Sequence, residues 1–233
     1  MMMTQFSVCA SGARCARWPK LLAVMMLAAG ISWGQAQQPN AQPDHMDRHF
    51  DPEMAARAWD DPARDAWQMP DRVLAALALK SDQVVADIGS GTGYFTVRLA
   101  RSAAKVYGSD IEPDMVSYLD KRAAREGLKN IVAIKASADS PNLPEPVDLI
   151  LIVDTYHHIG NREAYFRRLA TSLKPGGRIA IIDFKPDSPD GPGKEFRFTP
   201  EQIEAEMSAA GYKLAARYDF LPRQNFLVFA VNR

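Results

Sequence analysis

The sequence predicts an α/β fold, doubly wound about a mostly parallel sheet, and three features predict it. Short apolar runs recur along the chain and end on the acids Asp87, Asp110 and Asp154. The run Val147 to Asp154, VDLILIVD, is so uniformly apolar that both its faces must be covered, as in the middle of a parallel sheet. The first run, Val84 to Asp87, passes through Gly89-Ser90-Gly91-Thr92-Gly93 into a helix-like pattern carrying Phe95, Val97, Leu99 and Ala100. Strand, glycine turn and helix is the unit that presents backbone N–H groups and a helix N-terminus to a ligand.

At 233 residues the chain has ample length for one domain with a sizeable core. Its 28 basic and 28 acidic residues balance, which points away from nucleic acid and from anionic membranes as partners. Residues 1–36 read as a signal peptide. Arg14, Arg17 and Lys20 precede an apolar run from Leu21 to Ile31, and small residues stand at Gly34 and Ala36 before a cut. The run is too short for a comfortable membrane span, so no stable membrane insertion is expected after cleavage. The expected location is periplasmic, or cytoplasmic if translation starts at Met25 or Met26. Cys9 and Cys15 both fall in this segment, so the remaining chain offers no thiolate for catalysis or for zinc.

Residues 37–70 read as a linker and N-terminal cap, and residues 71–233 as the main domain. Gln37 to Asp44 is polar and proline-bearing. A short helix is expected from Met54 to Trp59, broken by Asp60-Asp61-Pro62. Arg64, Asp65, Trp67, Gln68 and Pro70 follow as a polar-aromatic cluster, fit either for a substrate mouth or for packing and surface charge. Asp71 is a candidate cap for a helix reaching Leu79. Lys105 to Ser109 forms a second strand, and Pro113 to Arg125 a helix stopped by Gly127. A third strand spans Asn130 to Ala136. A helix from Arg162 to Leu173 leads through Lys174-Pro175-Gly176-Gly177 to a strand over Arg178 to Phe184. Lys185 to Lys194 is too rich in Pro and Gly for regular structure and suits a loop over a pocket. Thr199 caps a last helix with Pro200 in its first turn, and two strands, Lys213 to Asp219 and Phe226 to Val231, close the chain.

The glycine spacing separates possible ligands. A dinucleotide turn reads G-x-G-x-x-G. Here the third glycine follows the second by two positions, and Asp87 stands two before the first. An acid there repels a diphosphate and suits an ammonium or other cationic centre. Read as D-x-G-x-G-x-G, Asp87 to Gly93 resembles the first motif of the class I S-adenosylmethionine-dependent methyltransferases of small-molecule type. The resemblance runs from Val84 to Val231, with four motifs in order. It implies a Rossmann-like, seven-stranded sheet whose last strand is antiparallel, and S-adenosyl-L-methionine as cofactor.

By that resemblance Asp87, Gly89, Ser90, Gly91 and Gly93 hold the amino acid part of the cofactor, Asp110 its ribose and Ile111 its adenine, while Tyr94 and Asp154 join the cofactor-binding set near the methyl. The family's acidic adenine contact has no direct counterpart, which leaves Ser137 or Asp139 for that role. In open α/β sheets ligands bind beyond the carboxyl ends of strands, which brings Asp154, Tyr156, His157 and His158 to the reaction centre. A neutral His there can take a proton from an O–H or N–H nucleophile. Adjacent His residues in an extended turn are expected to point apart, so no metal site is expected.

The implied function is methyl transfer to a small-molecule acceptor by in-line displacement, which relies mainly on alignment and electrostatics. Two alternatives stand beside it: a nicotinamide-dependent oxidoreductase, disfavoured by the glycine spacing, and an exported ligand-binding module that keeps the fold without turnover. The acceptor and the oligomeric state have no signature in the sequence.

Overall fold

The computed structural model describes residues 51–232, so the signal peptide and the start of the linker lie outside the described residues. A seven-stranded sheet has the order β3-β2-β1-β4-β5-β7-β6. Its strands are β1 Val84–Ile88, β2 Lys105–Asp110, β3 Ile131–Lys135, β4 Val147–Val153, β5 Leu173–Phe184, β6 Tyr212–Tyr218 and β7 Gln224–Val231. The first five pair in parallel, while β7 runs antiparallel to both β5 and β6. The sheet order reverses between β1 and β4. Loops after these two strands therefore diverge to opposite sides and leave a crevice, the usual ligand position in such sheets.

Alternation along the strands divides the core in two. Val85, Leu149, Leu151, Ala180 and Ile182 face one helical layer. It contains α3 (Pro70–Leu77), α4 (Thr96–Leu99) and α5 (Pro113–Arg125). Ala86, Ile150, Ile152, Ile179 and Ile181 face the other, formed by α6 (Arg162–Leu169) and α7 (Pro200–Ala209). The central strands are apolar at nearly every position because both faces are covered. The capping box at α7 pairs Thr199 with Gln202 in both directions, satisfying two otherwise open N–H groups.

The structure departs from the sequence-based boundaries at several places: α3 stops at Leu77, short of Leu79, and β7 begins at Gln224, two residues before Phe226. The helix after the glycine turn is a single turn, α4. Asp71 lies in the first turn of α3, and Met69, at φ 46°, takes the cap position because Pro70 already fixes the first helical residue. Helix α6 ends at Leu169, and a 3₁₀ turn over Ala170–Ser172 follows. Lys174 to Gly177 lies inside β5 as an irregularity: Val147 pairs with Leu173, and Leu149 with Arg178.

The cap begins with α1 (Pro52–Trp59), whose N-terminus is closed by the Asp51 side chain. A 3₁₀ turn over Pro62–Arg64 and the short α2 (Asp65–Gln68) complete it. Among the described residues, no helix is long and apolar enough to cross a membrane.

Candidate active site

The candidate site lies beyond the carboxyl ends of β1, β2, β4 and β5. The glycine turn is tightly held from below. Gly89 and Ser90 N–H both donate to the Ser109 carbonyl, at 2.8 and 3.1 Å, and Gly93 N–H donates to the Ser90 carbonyl at 2.8 Å. Gly91 N–H donates to Asp110 Oδ2 at 2.7 Å. These donors are spent within the protein. That geometry suits a ligand recognised by acceptors, and it is poor for a diphosphate, which needs open N–H groups. Gly89, Gly91 and Gly93 all have positive φ, the left-handed region that favours glycine. A Cβ on Gly89 would overlap the Thr155 side chain, so the turn after β4 rests directly on the glycine loop.

Acidic groups ring this loop. Asp87, at the end of β1, accepts from the Thr96 hydroxyl at 2.6 Å. Burial pushes its carboxyl up to about 6, against the pull of that hydrogen bond. Asp110 accepts from Gly91 and from Glu112 N–H, at 2.7 and 2.9 Å, and burial raises it as well. Asp154, just past β4, has φ 51°. Its carboxylate accepts from Gln224 Nε2 at 2.5 Å and from the Arg64 guanidinium at 3.2 Å. Burial lifts Asp154 to about 7; Arg64 opposes the rise and Asp183 adds to it. Desolvated carboxylates with raised pKa values form a site that gains from a cationic ligand.

The cap reaches over the same loop. The Trp59 ring lies 3.1 Å from where a Cβ on Gly91 would stand. Asp60 pairs with Arg122 at 2.8 Å and accepts from the Thr92 hydroxyl at 3.2 Å. Arg64 donates to Gln68 Oε1, and Gln68 Nε2 donates to Gln224 Oε1 at 2.6 Å. With Asp154 these residues close a ring of four polar side chains. Arg64 also stacks over Tyr94, 4.2 Å from its ring centre, and Arg98 stacks at 4.0 Å. Trp67 lies 6.1 Å from Phe184 and beneath the Arg223 guanidinium.

The residues expected at the site divide accordingly. Asp87, Gly89, Gly91, Gly93, Asp110 and Asp154 gather beyond the carboxyl ends of β1, β2 and β4. Ser90 belongs to the turn, but its hydroxyl is buried close above Gly108 with no hydrogen-bond partner among the described residues. Tyr94 is turned to the cap, where its hydroxyl donates to Asp65. Ile111, Ser137 and Asp139 sit past the ends of β2 and β3, and Ser137 Oγ donates to Asp139 at 2.9 Å. Tyr156 is not brought to the crevice: it is fully buried between Phe166 and Phe198, and its hydroxyl donates to Glu206.

His157 and His158 do not point apart. The segment is a 3₁₀ turn over Tyr156–His158, and the two rings stand 4.1 Å apart at 41°. Among the described residues, no group of three or more His, Cys, Asp or Glu is arranged to hold a metal ion. Gln224 and Asp183 lie here with no role assigned from the sequence, while Arg64, expected beside a substrate mouth or as a surface charge, pairs with Asp154 instead. Asp183 was within reach of that reasoning, since it closes the carboxyl end of an apolar strand as Asp87 and Asp154 do.

Known proteins share this fold. The family model for a methyltransferase domain matches residues 79–217. An uncharacterized methyltransferase of Geobacillus kaustophilus is 31% identical over 132 residues, 55% of this chain and 60% of that protein. A demethylmenaquinone methyltransferase of Tropheryma whipplei is 33% identical over 108 residues, 46% of this chain and 44% of that protein. The chain thus spans about half the length of these curated relatives. Among solved structures, a SAM-dependent methyltransferase from Aquifex aeolicus superposes with a TM-score of 0.71 at 26% identity, over 78% of this chain and 99% of that one.

Proposed function

The chain belongs to the methyltransferase domain family, and on that premise we propose that it transfers a methyl group from S-adenosylmethionine to a small-molecule oxygen, nitrogen or similar nucleophile. One observation carries the proposal: the buried acids Asp87, Asp110 and Asp154 gather around a glycine turn in which the Gly89, Ser90, Gly91 and Gly93 N–H groups are already bonded within the protein. These acceptors fit the cofactor, which offers an ammonium group, a sulfonium centre and a ribose diol. Asp87 and Asp154 face the cationic part, and Asp110 is placed for the ribose hydroxyls. Ile111 and the Ser137–Asp139 pair lie where the adenine would reach. The cofactor supplies an electrophilic methyl, and the protein supplies alignment and a site that disperses positive charge.

In this reading the acceptor side comprises His157, Trp67 and Phe184, with the loop of residues 185–194 reaching Phe184 through Gly191. The aromatic pair and the balanced charge of the chain favour a small organic acceptor over nucleic acid. Incubating the purified protein with methyl-labelled S-adenosylmethionine and a panel of phenols, catechols and amines tests the reading. Acceptor-dependent formation of S-adenosylhomocysteine supports it. Tight cofactor binding without turnover on any acceptor class would favour the non-catalytic binding module.

The location belongs to the same proposal. Residues 1–36 carry the signal pattern, so the exported form would begin at Gln37, which N-terminal sequencing of a periplasmic fraction checks.

A further inference from the structure

The carboxylates assigned to the cofactor leave a buried acid unused. Asp183, near the end of β5, has 2% of its side chain exposed. Its oxygens accept backbone N–H groups from Phe184 at 2.7 Å and from His157 at 3.1 Å. They also lie 2.9 and 3.0 Å from His157 Nδ1. An ionised carboxylate only accepts, so the neutral imidazole must carry its hydrogen on Nδ1. Its Nε2 is then left with a lone pair, the form able to take a proton. Asp183 grips both the backbone and the ring of His157, which fixes the ring's direction as well as its tautomer, and 7% of the His157 side chain is exposed. The turn that carries His157 rests through Thr155 on Gly89, which sets this base beside the glycine loop.

We propose that Asp183 is a positioning residue that holds His157 as the Nδ1–H tautomer with Nε2 as proton acceptor, and that the methyl acceptor therefore bears an ionisable O–H or N–H. The inference rests on the methyl-transfer reading above and narrows it. As the acceptor's lone pair forms its bond to the methyl carbon, the carbon–sulfur bond breaks and its electrons stay on sulfur. The acceptor's proton passes to His157 Nε2, and the resulting imidazolium faces the Asp183 carboxylate until the proton leaves to solvent. Other groups face the same ring. Asp154 approaches from the end of β4 and adds negative potential, with Arg64 beyond it. The His158 ring lies 4.1 Å away.

A role for Asp183 confined to holding backbone N–H groups makes a different prediction. In Asp183→Asn one of the two oxygens becomes an NH₂, so only one of those backbone bonds, which reach different oxygens, is kept, and an NH₂ turned to Nδ1 would donate there and place the hydrogen on Nε2. The test is ¹⁵N NMR of the imidazoles in the full chain, which has four histidines, with His157→Gln assigning the signals. Wild type is expected to show neutral His157 protonated at Nδ1, Asp183→Asn to shift it to Nε2–H, and Asp183→Glu to restore the wild-type pattern. An Nε2–H ring in the wild type would overturn the proposal, and that measurement needs neither an Asp183 variant nor a ligand.

Kinetics with catechol, 4-nitrophenol and benzylamine test the acceptor class. Asp183→Asn is expected to lower kcat about 10²- to 10⁴-fold near neutral pH. With catechol the gap should narrow towards pH ~10, where a phenol ionises unaided. A rate deficit that is the same at every pH would point to a merely structural role and overturn the proposal, as would failure of the wild type to methylate all three probes. S-adenosylhomocysteine affinity should stay within about threefold in Asp183→Asn, since the contact acts on the transition state. A wild type that does not bind S-adenosylhomocysteine would sink the proposed function instead, and the two failures are thereby told apart.

Discussion

Arg64 reaches across ninety positions of sequence to place its guanidinium 3.2 Å from the Asp154 carboxylate. This contact joins the cap to the end of the central strand. It also puts the protein's own cation beside the carboxylate proposed to face a cationic ligand. Both side chains are mostly buried, with 14% and 23% exposed, so solvent screens the pair only in part.

Arg64→Ala should therefore act in two ways. It removes the guanidinium from Asp154, Gln68 and the Tyr94 ring, loosening residues 51–69 from the domain. A loss of roughly 1–3 kcal/mol in urea unfolding is expected, together with faster proteolysis within the cap. Unchanged stability and cleavage would show that the ring of polar side chains does not hold the cap.

The raised carboxyls make binding proton-linked. Asp87 at about 6 and Asp154 at about 7 stand above the ordinary 3.8. Between these limits the folded chain holds protons that the unfolded chain has released, so the ligand-free protein loses stability as pH rises through that window. A cation bound beside them favours the ionised forms. S-adenosylhomocysteine, through its ammonium group, should thus expel protons near pH 6 and very few at pH ~8.5, where both groups are already ionised. Calorimetry in two buffers of different ionisation enthalpy reads this directly. Equal proton release at both pH values would contradict the assignment.

Gly89→Ala tests the seam between the two turns. Gly89 has φ +73°, and a Cβ would enter the space of the Thr155 side chain. Strain and overlap together should cost about 1–3 kcal/mol. Because the turn after β4 must move, ligand affinity should fall as well. Adding Thr155→Gly to Gly89→Ala relieves the overlap but not the backbone strain, so it should recover part of the loss and not all of it.

Much of the frame was legible because it depends on local pattern. The covered strand at Val147–Val153 and the Pro113–Arg125 helix show it best, the first by uniform apolarity and the second by a proline start and glycine stop. The chain after Gly93 was less legible: a helical pattern over Phe95 to Ala100 yields only one turn, Thr96–Leu99. Cap contacts were invisible, since nothing at Gln68 announces that Gln224, 156 positions later, will accept its amide hydrogen. Tyr156 shows the limit most clearly. Its place beside two histidines suggested chemistry, but its direction is set by Glu206 on α7 and by two phenylalanine rings.

The most direct test of the central claim is calorimetric titration of the purified protein with S-adenosylhomocysteine and, separately, with a nicotinamide dinucleotide. Micromolar binding of the first alone is expected. Asp110→Ala should weaken it at least about tenfold, the effect of losing a hydrogen bond to a charged group. A folded protein that binds neither ligand, or that prefers the dinucleotide, would contradict the account.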